Sequence, residues 1–385
     1  MFGLVIAAFP AFSEGDITSL LKWDDNGRTG NSYGTGNSHE DAWQKQILSE
    51  VEGTYNVQEG HYIKSVIKFN TQTSLGEDSE VDERSTIILS VVASNSSYGG
   101  ENTFADFFNT TLTGFEYVYP QLSLGLLFTE EDEYYHVRSF LRDYFNDEDI
   151  ASDQKFSKVT LLCAPFLKGN INRADRHSNA VQKYRRILIA KSRNFLINNA
   201  LENERYTLSI DSDMVQVNPL TLDYFVDSGK DIIVPRIVTK AKGDYDYNSW
   251  QGERAQPSPE EYERIRNAQE KSIAENTPEE YIYVPHDKNM KHLSKLWDEL
   301  READPNTPEN AAVEIDSVGG AILFVKSEVF KYGVQFPTYH VIGADWDLPL
   351  GGYDGIETEG LCYGSKMLGF KCWAMPALTA THTSG

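Results

Sequence analysis

Tyr206-Thr207-Leu208-Ser209-Ile210-Asp211-Ser212-Asp213 is the stretch on which the fold turns. Its first five residues have the content of a short strand, and they run straight into two aspartates one residue apart. On an extended segment residues two apart point to the same side, so both carboxylates can converge on one cation at the carboxyl edge of a sheet. That edge is where open α/β sheets bind ligands. Just upstream, residues 178–201 carry Val181, Tyr184, Leu188, Phe195 and Ile197 among Lys and Arg, the pattern of an amphipathic helix ending near Asn198-Asn199. Just downstream, 221–228 is helix-like and 231–235 is strand-like.

The same alternation extends in both directions. Residues 86–92, 122–128 and 159–163 are short β-branched or apolar runs of the kind that fill a sheet buried on both faces. More polar stretches at 104–111 and 134–144 are long enough to be the intervening helices. Strands alternating with helices indicate an α/β protein with a mostly parallel central sheet and flanking helices. Residues 252–310 are polar and punctuated by proline, with a glutamate-rich helix near 259–274 and an amphipathic one carrying Leu293, Leu296, Trp297 and Leu300. They read as a surface insertion or lid. The chain re-enters the core at 313–325 and closes with a helix near 357–368 and a strand near 371–375.

Composition bounds the function. The chain has 385 residues, 40% hydrophobic and 24% charged, and 58 acidic against 35 basic residues give a net charge of -23. So negative a surface repels phosphate backbones and excludes a general nucleic-acid binder. The longest apolar run, residues 2–12, is about half of the roughly 20 residues a membrane span needs and contains a proline. It lacks the basic flank of a signal peptide, so a signal, a truncated anchor and an imperfect start all remain open. Residues 13–80, rich in Gly, Ser, Asn and Asp, read as a stem or variable extension. Two triplets, Asn95-Ser96-Ser97 and Asn109-Thr110-Thr111, are N-glycosylation sequons that matter only in a secretory lumen.

Asp-x-Asp occurs four times, at Asp147/Asp149, Asp211/Asp213, Asp244/Asp246 and Asp345/Asp347, so the bare triplet carries little information. Only Asp211 and Asp213 directly follow a buried-strand pattern. Their hard oxygens suit Mn²⁺ or Mg²⁺, an ion that would neutralise a diphosphate; the alternative is two solvated aspartates capping the next helix. Arg193-Asn194, one turn from the end of the basic helix, is the better candidate for orienting such a diphosphate than Arg185 or Arg186. The loop Tyr245-Asp246-Tyr247-Asn248-Ser249-Trp250-Gln251 is dense in the aromatics and amides that stack on sugars and bond hydroxyls, or else is a partly buried turn. Asp316 precedes Gly319-Gly320, which permit either close approach to a ligand or a tight turn. Glu357 and Glu359 open the closing helix, where a plain helix-dipole role is the alternative. His382 is a candidate metal ligand or incidental, and Cys362 and Cys372 can be bridged if the last helix and strand pack together.

No Gly-x-Gly-x-x-Gly follows the first strand and neither a phosphate loop nor a Gly-x-Ser-x-Gly turn is present, so dinucleotide oxidoreductases, P-loop NTPases and α/β hydrolases lose support. What remains is a nucleotide-type α/β sheet with a metal-diphosphate turn, followed by a half rich in sugar-compatible side chains. The ordered set Ala190-Lys191-Ser192-Arg193-Asn194-Phe195-Leu196, Ile210-Asp211-Ser212-Asp213-Met214-Val215 with Pro219, Lys230-Asp231-Ile232-Ile233-Val234-Pro235, the 245–251 loop, Val313-Glu314-Ile315-Asp316-Ser317-Val318-Gly319-Gly320 and Gly355-Ile356-Glu357-Thr358-Glu359-Gly360 resembles the fungal Golgi mannan mannosyltransferases, glycosyltransferase family 62. The likeness covers residues 84–385.

The resemblance implies a GT-A fold, GDP-mannose as donor, Mn²⁺ (or Mg²⁺) as cofactor and retaining transfer of mannose to a mannose-containing glycan acceptor, typically with an α-1,6 linkage. It further implies a Golgi lumenal, type II membrane protein working with other mannosyltransferase subunits. On this reading residues 1–80 are a stem-like extension and 81–385 the catalytic domain, with a nucleotide-binding half (81–235) and an acceptor half (236–385). Asp211 and Asp213 match the metal pair, Arg193 and Asn194 the donor-side segment, His382 the C-terminal metal histidine, and Asp316, Glu357 and Glu359 the acidic positions of the active-site half. Tyr247, Asn248, Trp250 and Gln251 stand on the sugar or acceptor side. A non-catalytic subunit that keeps the fold is the rival reading, and a metal-dependent phosphohydrolase the third. Two departures set further expectations. The segment 339–355 is longer than in the mannan-backbone enzymes, pointing to a less characterised branch, and His382 stands so near the last residue that its strand is expected to hold it weakly.

Overall fold

The computed structural model describes residues 47–69, 83–147, 149–151, 154–169, 179–241, 243–254, 257–275, 289–343, 352 and 354–383. The apolar run at 2–12 and the pair Asp345/Asp347 lie outside the described residues. Two strands precede the one expected first: β1 (Ile47–Val57) and β2 (Gly60–Phe69) form an antiparallel hairpin. Its second strand pairs antiparallel with β5 (Lys158–Cys163) from Ile63 to Lys68. The expected stem through residue 80 is therefore corrected for 47–69, which belong to the main sheet. Glu50, on β1, accepts from Arg138 at 2.9 Å and Arg142 at 2.7 Å, so charge pairing rather than apolar burial fixes that face of the hairpin.

The apolar runs form the sheet's centre. β3 (Thr86–Val92) pairs in parallel with β4 (Leu122–Phe128) on one side and with β6 (Tyr206–Ile210) on the other, and β4 pairs in parallel with β5. Beyond β6 the sheet continues through β12 (Ile322–Lys326), β8 (Ile232–Thr239), β13 (Cys372–His382) and β11 (Val313–Ile315), with β7 (Met214–Gln216) also on β13. β12 is antiparallel to both its neighbours, while β8 and β13 are parallel. The sheet is thus mixed, with a parallel block at its core. A small ribbon of β9 (Trp250–Gln251) and β10 (Lys291–His292) stands apart from it.

Strand alternation sends successive side chains to opposite faces, and helices cover both. Ile88, Leu124, Leu126, Phe128, Leu208 and Phe324 pack under α1 (Phe104–Phe107), α2 (Glu131–Asn146) and α4 (Thr221–Ser228). Ile87, Leu89, Leu127, Leu162, Leu323 and Val325 face α3 (Asn179–Ala200), α6 (Leu293–Ala303), α7 (Ser327–Lys331) and α8 (Thr358–Met367). The glutamate-rich helix α5 (Pro259–Glu275) lies in the 252–310 insertion. This is the helix-flanked α/β architecture the alternation of runs implies. Full burial of each such aliphatic side chain contributes about 1.5–3 kcal/mol, so the paired faces fix the register of the central strands.

Two closing features tie distant parts together. Cys362 on α8 and Cys372 on β13 form a disulfide with Cα atoms 6.1 Å apart, whereas Cys163 is buried and free, its thiol pushed up to about 12 by burial. β13 is eleven residues long, paired with β8 through His382 and with β7 through Thr381 and His382. The expectation that His382 is held by a weakly supported end is corrected, because a strand hydrogen-bonded on both edges does not fray there. Among the described residues no helix is long and apolar enough to cross a membrane.

Candidate active site

The chain runs from β3 through β4 and β5 to one side, then returns along α3 to place β6 on β3's other flank. The gap between the carboxyl ends of β3 and β6 is therefore a topological switch point, the place where open α/β sheets take ligands. A small cleft lies there, with enclosed room for about one water molecule, lined by Leu89 and Val91 of β3, Arg193, Leu196 and Ile197 of α3, and Ser209 to Asp211 at the end of β6.

Asp211-Ser212-Asp213 turns at this edge, with the Asp211 amide donating to the Ala321 carbonyl and the Met214 amide to the Asp211 carbonyl. Ser212 donates its hydroxyl to the Ser97 carbonyl at 3.0 Å, fastening the turn to the segment after β3. The Thr383 amide donates to the Asp213 carbonyl at 3.1 Å, and His382 Nε2 lies 3.0 Å from Asp213 Oδ1. Tyr245 stacks on the His382 ring with centroids 3.7 Å apart. Burial works against protonation of His382, but the bond to Asp213 outweighs it and its pKa is raised.

Arg193 is 8% exposed and gathers the site. Its Nη2 donates to Asp211 Oδ1 at 2.8 Å and to the Gly320 carbonyl at 2.9 Å, its Nε stands 3.2 Å from Glu357 Oε1, and the guanidinium lies 5.6 Å from the centre of the Phe336 ring. The Asp211 carboxyl, although its side chain is 43% exposed, is pushed up to about 6 by desolvation among the surrounding protein atoms, with Arg193 opposing and Asp213 and Glu357 adding to the rise. Glu357 has φ 62° and ψ -129°, the one non-glycine with positive φ among the described residues. Such a conformation costs about 1–3 kcal/mol and is held here by the Glu357 amide donating to Pro337 and by the bonds of its carboxylate to Arg193 and Thr358.

Gly319-Gly320 make close approach possible, but to the protein's own charges. A Cβ on Gly319 would stand 1.6 Å from Asp246 Oδ2, and one on Gly320 2.7 Å from Arg193 Nη2. Asp246 was legible only as one of four equivalent triplets; in the fold its carboxylate accepts from the Asn248 amide at 3.1 Å and faces the Arg193 and Glu357 charges. Burial raises its pKa, with the backbone amides of Asn248, Ala321 and Gly320 opposing. Asp246 and Tyr245 are the residues that sequence reasoning passed over as individuals.

The remaining candidates divide. Asn194 is not free to meet a donor: its amide donates to the Phe336 carbonyl and accepts from the Phe336 amide, both at 2.9 Å, which seats the ring beneath Arg193. Trp250 is 1% exposed and stacks against no open surface, so the expectation that it offers a face to a sugar is corrected; its indole lies beside Arg254. Gln251 donates to the Glu314 carbonyl at 2.8 Å. Tyr247 is 58% exposed and meets His292 edge-on at 5.3 Å; Tyr245 is the other exposed side chain of that loop, and Asn248 is half-buried. Asp316 accepts from the Gly252 amide at 2.7 Å and is paired with Lys366, outside the Arg193 group. Glu359 is 2% exposed, with one oxygen 3.0 Å from Arg186 and the other 3.0 Å from Arg254, which also binds Asp354 at 2.8 Å. Its charge is fully matched inside a second, buried network, so it anchors α8 instead of facing the pocket.

Chemically, the pocket edge collects four carboxylates, Asp211, Asp213, Asp246 and Glu357, around one guanidinium and one imidazole. Among the described residues no three His, Cys, Asp or Glu side chains stand in metal-holding geometry. The donor types nonetheless fit a hard divalent cation, two carboxylates and an imidazole, and the excess negative charge is what such an ion would offset.

The Anp1 family profile matches residues 65–340. The chain is 27% identical over 274 residues to the mannan polymerase complex subunit mnn9 of Schizosaccharomyces pombe, covering 69% of this chain and 73% of the relative. It is 27% identical over 216 residues to the mannan polymerase I complex VAN1 subunit of Saccharomyces cerevisiae, covering 54% of this chain and 35% of that one. Among solved structures, the mannosyltransferase PcManGT of Pyrobaculum calidifontis, in complex with GDP-Man and Mn²⁺, aligns over 80% of this chain and 60% of its own at a TM-score of 0.37 and 11% identity, too distant to carry an argument. With a profile that spans well over half its length, the chain belongs to the Anp1 family.

Proposed function

We propose that this chain is a metal-dependent, retaining mannosyltransferase of GT-A type that moves mannose from GDP-mannose to a mannose-containing glycan, extending α-1,6 mannan in the Golgi lumen as a type II protein alongside related subunits. The observation that carries it is the Asp211/Asp213/His382 group at the switch point, joined to a buried arginine. Its relatives' names as mannan polymerase subunits support the glycan and the company of other subunits.

Asp211, Asp213 and His382 would hold Mn²⁺ or Mg²⁺, which when bound supplies Lewis-acid neutralisation of the departing diphosphate. Arg193, fixed on Asp211, Glu357 and the Gly320 carbonyl, has its remaining donor capacity beside the pocket and would orient the diphosphate oxygens. Asp246, cradled by backbone amides, is placed to accept hydroxyls of the donor sugar, and Tyr247 and Asn248 to meet the acceptor. Glu357 acts through Arg193 as a positioning residue. Catalysis on this reading is positioning and electrostatics, with no protein nucleophile required.

The second reading, a non-catalytic subunit that positions an active partner, is favoured by the relatives' description as complex subunits and by Asn194 being bound to the backbone of Phe336. Release of GDP from GDP-mannose, with Mn²⁺ and α-mannobiose, separates the two. Acceptor-dependent release abolished by Asp211→Asn/Asp213→Asn supports the enzyme; GDP binding without release in the wild type supports the subunit.

A further inference from the structure

The helical turn at residues 108–112 holds a side chain that local structure does not explain. The polar neighbours of Asn109 are all engaged within the fold. Thr103 and Asp106 cap α1, Thr110 donates to the Asp106 carbonyl at 2.7 Å, Thr113 to the Phe108 carbonyl at 3.0 Å, and Thr111 to the Met214 carbonyl at 3.0 Å. Asn109 is exposed, forms no hydrogen bond among the described residues and caps nothing, in a helical position that disfavours asparagine. It is also the first residue of Asn109-Thr110-Thr111.

A second, independent observation concerns compartment. The Cys362–Cys372 disulfide belongs to an oxidising environment, the kind of lumen in which asparagine glycosylation takes place.

We propose that Asn109 carries an N-linked glycan; the inference rests on the lumenal placement proposed above. The co-reactant is an oligosaccharide on a polyprenyl diphosphate. The bond from its anomeric carbon to the diphosphate oxygen breaks, a bond from that carbon to Asn109 Nδ2 forms, the amide proton passes to a base of the transferase, and the lipid diphosphate leaves. The exposed side chain lets the folded protein carry the glycan on the solvent side of the turn, while Thr111, the hydroxyl member of the sequon, braces β7 just after Asp213.

The test expresses the full chain in yeast and reads gel mobility before and after peptide N-glycosidase, with mass spectrometry of the 109 peptide. A Gln58→Thr variant supplies a control sequon at Asn56, an exposed residue at the end of β1 beside the turn to β2. The expected result is a mobility step that the glycosidase removes and that Asn109→Gln abolishes, with Asn109 converted to aspartate by the enzyme. A glycan on Asn56 of the control with a bare Asn109 overturns the Asn109 assignment and leaves the lumenal reading standing. Bare asparagines at both positions overturn the lumenal reading and the assignment together.

Discussion

Substituting Gly319 by alanine tests whether the site is built around the half-buried Asp246 carboxylate and not merely beside it. The added Cβ would stand 1.6 Å from Oδ2 and 2.1 Å from Cγ of Asp246. Neither partner yields easily, because Asp246 Oδ1 is bound to the Asn248 amide and the Gly319 amide donates to Ser249 Oγ at 2.8 Å. Overpacking costs about 1–3 kcal/mol and loss of a hydrogen bond to a charged acceptor about 1.5–3 kcal/mol, so Gly319→Ala is expected to lower stability by about 3–5 kcal/mol. The assay is urea denaturation of wild type, Gly319→Ala, Asp246→Ala and the double variant. Asp246→Ala removes the three closest contacts of the added methyl group, so the cycle should give a coupling of about 2 kcal/mol or more. A Gly319→Ala within about 0.5 kcal/mol of wild type, or additive with Asp246→Ala, refutes the reasoning. Gly364, inside α8 with Val334 Cγ1 3.7 Å away as its nearest contact, is the control: Gly364→Ala should stabilise by about 0.5–1 kcal/mol.

His340, whose pKa is lowered to about 4 by burial and by Lys183 and Arg186, with Glu359 opposing, stays neutral in the fold while the unfolded chain protonates near 6.5. Stability should therefore fall as pH drops from about 6.5 to 4, by at most about 3 kcal/mol, and His340→Gln should flatten that part of the urea-midpoint profile relative to wild type. Replacing Cys362 and Cys372 by alanine opens a loop of sequence separation 10 and should cost about 2–3 kcal/mol, read by denaturation with and without reductant. Lys158, buried and 2.6 Å from the equally buried Glu204, should cost about 3–5 kcal/mol when changed to methionine, and Lys158→Met/Glu204→Leu should recover most of it in the same assay.

The strands that sequence made plain are those whose burial is written in a run of apolar residues: 86–92, 122–128, 159–163 and 206–210 are β3 to β6 to within a residue. The hairpin at 47–69 was not, because an edge strand such as Val51-Glu52-Gly53-Thr54-Tyr55 is exposed on both sides and the acidic side chains of β1 find Arg138 and Arg142 far along the chain. The site followed the same divide. Asp211 and Asp213 were legible because a strand aims them, while Asp246 was hidden among identical triplets until the fold brought Gly319 against it. Trp250 read as a sugar platform, since an indole's burial depends on the β9–β10 ribbon that no local pattern announces. Glu359 read as reactive because the two arginines that neutralise it come from α3 and from the start of the insertion.

Arg193 reaches the Gly320 carbonyl across 127 residues of chain, and its other partners, Asp211 and Glu357, are supplied by separate elements. No local fragment therefore contains even a rudimentary version of this pocket: it comes into being only after the slow, long-range closures that bring β12 and α8 to β6 and α3. A ligand that needs the completed cluster has nothing to grip on a partly folded chain, so its binding free energy is added in full to the native state's advantage. Occupancy by such a ligand would thus serve as a fold sensor, raising the melting temperature with ligand concentration and sparing from proteolysis those molecules that have finished assembling.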